Sequence, residues 1–277
     1  MPVRSVPQAS WAIIGGSSTN SLKFPQDLND SRVKNIETGL IYATPYGNSP
    51  PFSIFELAGE KVLTCRMHGW RRGVSRADAS RQVFWVLKEA GVKRVFGEGG
   101  VGALNHLLKP RDLIIPRDYI DLSLRRDVSL DLPFLLVMRD PICPVLHQAL
   151  VETAEKRPLG RTFDQGIYVV TDGRHFESRA EVAVLRQGPG DVVGQSLCPE
   201  VYLAREIGAC YAGLYVVVNY AEGVLRDWEH QELARIFYED AAHLGSLLLD
   251  ALIEAAGSGT RTCQCGDLRS PTLLQDN

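Results

Sequence analysis

The stretch Ser10-Trp11-Ala12-Ile13-Ile14-Gly15-Gly16-Ser17-Ser18-Thr19-Asn20 decides the fold. A short apolar run stops at a Gly/Ser turn, which is the pattern of a buried strand entering a loop. The pattern returns along the chain. Val92 to Phe96 runs into Gly97-Glu98-Gly99-Gly100-Val101-Gly102. Ile167 to Val170 runs into Asp172-Gly173-Arg174-His175-Phe176-Glu177, and Cys210 to Val218 ends at Asn219. Shorter strands are expected at Phe52 to Phe55, Lys61 to Cys65, Asp112 to Pro116 and Asp191 to Val193. Helical periodicity places helices at Ser80 to Ala90, Pro144 to Arg157, Ser178 to Gln187, Glu200 to Ile207 and Trp228 to Ala256. Residues 21–50 carry turn signals, and residues 118–132 read as a charged loop.

This alternation predicts an α/β fold: a single domain over residues 1–277, with a mixed, mostly parallel central sheet flanked by helices. A polar tail is expected from about Gly257, frayed beyond the last helix. The 277 residues are 45% apolar and 23% charged, ordinary for a globular chain with a sizeable core. The 33 acidic and 30 basic residues leave a net charge of −3, so no basic face marks a nucleic-acid or membrane-surface partner. No apolar run is long enough to span a bilayer, and Met1 to Ser10 lacks the apolar core of a signal peptide. A cytoplasmic location is the expectation.

Of the six cysteines, Cys65, Cys143, Cys198 and Cys210 stand singly in apolar stretches, as small buried hydrophobes do. Only Cys263-Gln264-Cys265 is a cluster. Zinc sites ordinarily need a second pair, and none is visible beside it in sequence. The expectation is therefore no metal site.

Open α/β sheets bind ligands beyond the carboxyl ends of their strands. The turns after the strands are thus the candidate site. Gly15-Gly16-Ser17-Ser18 offers backbone N–H groups and hydroxyls to an anion, although taken alone it reads better as a tight strand-to-helix turn. It is neither a Walker loop nor a spaced-glycine dinucleotide fingerprint. Arg66-Met67-His68-Gly69-Trp70, read as extended, places Arg66 and His68 on one side, two cationic donors suited to phosphate.

Together these motifs resemble the trimeric nucleoside phosphorylases, the purine nucleoside and methylthioadenosine phosphorylase group. The most specific stretch is Asp191-Val-Val-Gly-Gln-Ser-Leu-Cys-Pro-Glu-Val-Tyr-Leu-Ala-Arg-Glu206. It is similar to the family's Val-Gly-Met-Ser followed by Pro-Glu-Val and a helix. Gly173-Arg-His-Phe-Glu-Ser-Arg-Ala-Glu181 and Gly99-Gly-Val-Gly-Ala-Leu104 resemble two further family motifs. Ile13 to Ser17 and Thr44-Pro-Tyr-Gly47 look more like the methylthioadenosine branch.

The resemblance implies phosphorolysis of a purine nucleoside, with inorganic phosphate as co-substrate and no cofactor. The transition state would be like an oxocarbenium ion, so phosphate and sugar must be positioned and the leaving base stabilised. By position, Ser17, Arg66, His68, Gly100 and Ser196 would hold phosphate. Gln195, Trp70 and His230 would line the ribose. Phe176 would pack on the base, and Glu177 and Asn219 would read its edge. His68 and Asn219 are the residues expected to act in catalysis. A homotrimer, or a hexamer built as a dimer of trimers, is implied, with no nucleic-acid or membrane partner.

The resemblance also bears on the base. The family's amino-purine branch carries Asp where this chain has Asn219, whereas the 6-oxopurine branch pairs Asn there with Glu at the position of Glu177. The chemistry agrees, because a 6-oxopurine offers an N1–H donor to Glu177 and acceptors at O6 and N7 to the Asn219 amide. Inosine and guanosine are the preferred substrates on this reading. His230, matched to the family's partner of the 5′-hydroxyl, points to an ordinary ribonucleoside. An exposed histidine at a helix start is the plain alternative.

Departures favour other readings. The family's Gly-Pro-Arg is Gly173-Arg174-His175, its Asn before the Gly-rich stretch is replaced around Glu98 and Gly99, and its Met beneath the sugar is Gln195. An acidic Glu98 would repel phosphate unless it points away or pairs with Arg71 or Arg72. The alternatives are a phosphorylase for methylthioinosine, methylthioadenosine or another 5′-modified nucleoside, and a degenerate member that binds or hydrolyses nucleosides.

Overall fold

Trp11, Ala12, Ile13 and Ile14 form the first strand, and all four are buried. A run without polar positions suits a strand covered on both faces. A computed structural model describes residues 5–125, 127–257 and 263–272. In chain order the strands are β1 (Trp11–Ile14), β2 (Lys34–Leu40), β3 (Ala43–Thr44), β4 (Gly47–Asn48), β5 (Phe52–Leu57), β6 (Glu60–Cys65), β7 (Arg94–Ala103), β8 (Leu113–Ile114), β9 (Asp118–Asp121), β10 (Phe134–Leu136), β11 (Thr162–Phe163), β12 (Ile167–Val170), β13 (Val192–Gly194), β14 (Cys210–Tyr220) and β15 (Arg269–Pro271). The helices are α1 (Arg76–Glu89), α2 (Pro144–Lys156), α3 (Arg179–Leu185), α4 (Leu197–Glu206), α5 (His230–Glu239) and α6 (Ala241–Gly257).

The main sheet runs β11-β8-β14-β7-β1-β6-β5-β2, with β13, β12 and β9 branching from β7. Its centre, β6-β1-β7-β14, is parallel throughout. The outer pairings β5–β6, β2–β5, β14–β8 and β13–β7 are antiparallel, so the sheet is mixed as the alternation predicted.

Several sequence-based expectations are corrected. The Gly-rich stretch after Phe96 is not a loop but the second half of β7, in continuous register with β14 up to Val101. It is glycine because other side chains need the space. A Cβ on Gly97 would lie 2.2 Å from the Tyr211 hydroxyl, and one on Gly100 would lie 2.9 Å from Val218 Cγ1. The expected helix from Trp228 to Ala256 is two helices. They break at Asp240, whose carboxylate is held by Arg111 Nε at 2.7 Å. β2 and β9 lie in segments read as loops; β2 is an almost wholly exposed edge strand, without the apolar alternation that marks a half-buried one.

The tail is not frayed over residues 263–272. β15 pairs antiparallel with β10, and the Arg269 guanidinium stacks 4.2 Å from the Phe134 ring and donates to the Glu206 carbonyl. The chain also brings Cys143 and Cys210 to Cys263 and Cys265, supplying the second pair that sequence order hides. No helix among the described residues is long and apolar enough to cross a membrane.

The fold places the turns as follows. β1, β6, β7 and β14 point their carboxyl ends the same way. Because β13 runs against β7, pairing Val193 with Gly102, it carries Gln195 and Ser196 back over Gly99 and Gly100. A bulge in β14 lets Asn219, not Val218, pair with Gly102. Bulges of this kind re-aim a side chain next to a site.

Candidate active site

The strand ends enclose a cleft of about 430 Å³. Ser17, His68, Gly100, Ser196, Trp70, Gln195, Phe176, Glu177 and Asn219 all line it. The turn after β1 and the middle of β7 form one part. The Gly100 N–H donates to Ser17 Oγ at 2.9 Å. Ser196 precedes α4 without using its hydroxyl as a cap and lines the cleft, while the chain leaves helical geometry at Cys198 before the regular turns of α4 begin. Tyr168 sets the Ser196 hydroxyl from behind at 3.3 Å.

His68 is fixed from two sides. Its backbone N–H donates to the Gly15 carbonyl at 2.8 Å, in left-handed conformation. Its Nδ1 lies 2.7 Å from a Glu200 oxygen, and the other Glu200 oxygen accepts from Tyr211 at 2.9 Å. The Nε2 edge abuts Gly16, where a Cβ would come within 2.5 Å of it. Glu200 is buried on α4 and cannot be assigned a role from sequence alone; an acid inside the otherwise apolar Leu197-to-Ala204 stretch was the available signal.

The Glu98 carboxylate does not line the cleft. It is buried beneath the Gly15-to-Thr19 turn, accepting from the Gly16 N–H, the Thr19 N–H at 3.2 Å and Thr19 Oγ1 at 2.6 Å. This resolves the anticipated conflict with phosphate by a route other than an arginine. Arg71 is committed elsewhere, to Gly69, Asn48 and Gln82. It also means that the Gly16 and Thr19 N–H groups serve Glu98 and not an external anion.

Two expected residues are not in the cleft. Arg66 is exposed and donates to the Asn20 carbonyl and, at 3.2 Å, to Asn20 Oδ1. The cause is local: residues 67–69 form a 3-10 turn with Met67 and His68 left-handed, so Arg66 and His68 do not share a face as an extended segment would have made them. His230 is the exposed first residue of α5. One and two turns further along α5, Leu233 and Phe237 line the cleft instead. The part of the cleft wall that α5 contributes is therefore apolar.

A cation that sequence reading missed takes a place here. Arg76, the first residue of α1, lies with its guanidinium 4.0 Å from the Trp70 ring and donates to Gln195 Oε1 at 2.6 Å. Burial, with Arg125 and Arg174 nearby, pushes it down to about 10, so it stays charged at neutral pH. Gln195 also donates to the His175 carbonyl at 3.0 Å, which makes it a bridge across the cleft wall. Arg125 ties the same wall together, donating to Asp172 at 2.6 Å and to the Gln195 carbonyl at 3.0 Å.

At the aromatic part, Phe176 meets Trp228 edge-on at 5.1 Å. Glu177 accepts from Thr171 Oγ1 at 2.5 Å, leaving its second oxygen for a ligand. Asn219 donates through Nδ2 to the Tyr220 carbonyl at 2.7 Å, and its Oδ1 has no partner among the described residues. The donor role expected of Asn219 is thus already half used.

Comparison with known proteins agrees with this architecture. A family model described as the phosphorylase superfamily matches residues 11–254. A Pyrococcus furiosus protein named S-methyl-5′-thioadenosine phosphorylase is 33% identical over 261 residues, covering 92% of this chain and 96% of the relative. A Thermococcus kodakarensis protein named probable 6-oxopurine nucleoside phosphorylase is 33% identical over 269 residues, again covering 92% and 96%. A methylthioadenosine phosphorylase from an Antarctic soil metagenomic library has the same fold, with a TM-score of 0.82 over 96% of this chain and 93% of that one at 24% identity. From its match across the strands and helices that build the cleft, the chain belongs to the phosphorylase superfamily.

Proposed function

We propose that the chain catalyses phosphorolysis of purine nucleosides, with 6-oxopurines preferred and an apolar 5′ substituent accepted. The observation that carries the reading is one cleft holding Ser17, His68, Ser196 and Arg76 together with Phe176, Glu177 and Asn219. Relatives named for nucleoside phosphorolysis support it.

In the reaction a phosphate oxygen attacks C1′ of the sugar as the bond from C1′ to the base nitrogen breaks. The bond's electrons leave with the purine, which takes up a proton, and the sugar keeps the phosphate. The Ser17 and Ser196 hydroxyls, His68 and Arg76 would orient phosphate and offset its charge. Glu177, set by Thr171, would accept from purine N1–H. No cofactor enters this scheme. The homotrimer belongs to the same proposal, and sedimentation would test it.

The apolar wall of Leu233 and Phe237 moves the sugar preference from the plain ribonucleoside toward a 5′-methylthio group. The unpartnered Asn219 Oδ1 favours a second reading, a 6-aminopurine whose exocyclic amine donates to it. The test is turnover of inosine, methylthioinosine, adenosine and methylthioadenosine, each with and without phosphate. Phosphate-dependent release of hypoxanthine from methylthioinosine at the highest kcat/KM is expected. Faster release of adenine selects the second reading. Release of base that ignores phosphate makes the protein a hydrolase, and no release from any substrate sinks phosphorolysis.

A further inference from the structure

Cys143, Cys210, Cys263 and Cys265 come from three distant parts of the chain, yet their four sulfurs all lie within 4.8 Å of one another. Cys210 Sγ and Cys263 Sγ are 3.4 Å apart. A tetrahedral zinc with Zn–S bonds of about 2.3 Å separates its sulfurs by about 3.8 Å, so four thiols gathered at this spacing match one ion. We propose that these cysteines form a closed tetrathiolate zinc site that fastens the C-terminal segment to the sheet.

The two halves of the site differ in how they are held. Cys143 and Cys210 belong to the body of the domain. The Cys143 N–H donates to the Tyr211 carbonyl at 2.8 Å, and the Cys210 N–H donates to the Lys93 carbonyl at 2.8 Å. Cys263 and Cys265 arrive on the tail. A turn follows them, closed by the Asp267 and Leu268 N–H groups on the Gln264 carbonyl at 2.9 and 3.2 Å. Cys143, Cys210 and Cys265 are buried and Cys263 is half-buried, leaving no open coordination position of the kind a catalytic zinc keeps.

Four thiolates around one Zn²⁺ carry two net negative charges, and the surroundings offset them. Cys143 is the N-cap of α2, at the positive end of a 13-residue helix. The buried Arg205, whose guanidinium donates to the Val137 and Asp140 carbonyls, adds positive charge at Cys265. Binding releases four thiol protons to solvent for each Zn²⁺ taken up. The site lies at the start of β14, whereas Asn219 lies near the end of that strand. The ion is therefore structural and takes no part in the cleft.

The test begins with the full chain, purified under reducing conditions from zinc-supplied cells without a metal-binding tag. Elemental analysis is expected to give one zinc per chain. Chelator-treated protein should take up Co²⁺ with thiolate charge-transfer and tetrahedral d–d absorption. After unfolding in chelator without reductant, all six cysteines should react with a thiol reagent. A Cys263→Ser, Cys265→Ser double variant should lose the zinc and melt earlier, with kcat/KM within about twofold. Cys65→Ser should keep the metal. If the double variant fails to fold, metal content and thiol count of the unaltered chain still decide. Absence of zinc uptake overturns the proposal, whether the thiols are all present or consumed in disulfides. So does zinc retained by the double variant.

Discussion

His68 Nδ1 and a Glu200 carboxylate oxygen lie 2.7 Å apart with both side chains buried. The carboxylate fixes the tautomer and tilt of the ring, directing Nε2 to the turn after β1. Tyr211 and Tyr215, whose hydroxyls lie 3.2 Å apart, continue the chain of hydrogen bonds behind it. Glu200 is thus a positioning residue acting through His68. Glu200→Gln keeps the volume but removes the charge, and kcat/KM is expected to fall about 100-fold. Because the two residues act as one unit, adding His68→Ala should cost little more than His68→Ala alone. Steady-state kinetics of the two singles and the double decide this; additive losses would separate the residues.

Gly16 sits where two demands meet. A Cβ there would lie 2.1 Å from the Glu98 carbonyl and 2.5 Å from His68 Nε2. The first contact is with backbone and cannot be relieved by a rotamer change. Gly16→Ala should therefore displace both the turn and the imidazole. A loss of about 1–3 kcal/mol in stability is expected, together with loss of turnover. Chemical denaturation and kinetics at saturating phosphate check it, and an unperturbed, active Gly16→Ala would show that the turn yields.

The parallel centre of the sheet was legible because a buried strand advertises itself as an apolar run, ending at glycine in β1 and at Asn219 in β14. Nine of the expected cleft residues were legible as well, since they follow strand ends or belong to motifs with fixed order. What was not legible has physical causes. The left-handed pair Met67 and His68 turned Arg66 out of the cleft, and no residue type there demands that conformation. Arg76 entered from α1, whose start is marked by the Ser75 cap that accepts from the Asp78 N–H at 3.0 Å and not by any motif. The partners of Cys263 and Cys265 lie 120 and 53 positions away from Cys263, at Cys143 and Cys210, beyond any spacing rule.

The position of α5 makes the sugar preference testable residue by residue. His230→Ala should leave kcat/KM unchanged within about twofold for every nucleoside, because the side chain is outside the cleft. Leu233→Asn sets a polar group in the apolar wall. It should reduce preference for methylthioinosine over inosine by about tenfold, within the range that one apolar contact supplies. A sharp loss in His230→Ala with inosine alone would return that residue to the 5′-hydroxyl.

Asn219→Asp tests the base edge. The substitution replaces the Nδ2 donor with a second acceptor and adds negative charge beside the unpartnered Oδ1. Preference should move toward 6-aminopurines by about tenfold or more, since a carboxylate accepts from the exocyclic amine and opposes O6. Competition between adenosine and inosine measures it directly, and an unchanged ratio would remove Asn219 from base selection.

His147 makes stability depend on pH independently of the cleft. It is fully buried, and its Nε2 donates to the Ile115 and Asp164 carbonyls at 3.1 and 2.9 Å, which fixes the neutral tautomer. Nδ1 has no partner among the described residues, so a second proton would be buried without an acceptor. Burial, with Arg117 nearby, accordingly holds its pKa below the ordinary histidine range. The unfolded chain titrates at about 6.5 and so binds the proton first as pH falls. Stability from this group is fully present above that pH and is lost progressively below it. Melting temperature should drop between about pH 7.5 and 5.5. His147→Gln keeps an N–H donor but cannot titrate. It should melt lower at pH 7.5 and show a shallower drop, and parallel curves for the two proteins would assign the acid sensitivity to another group.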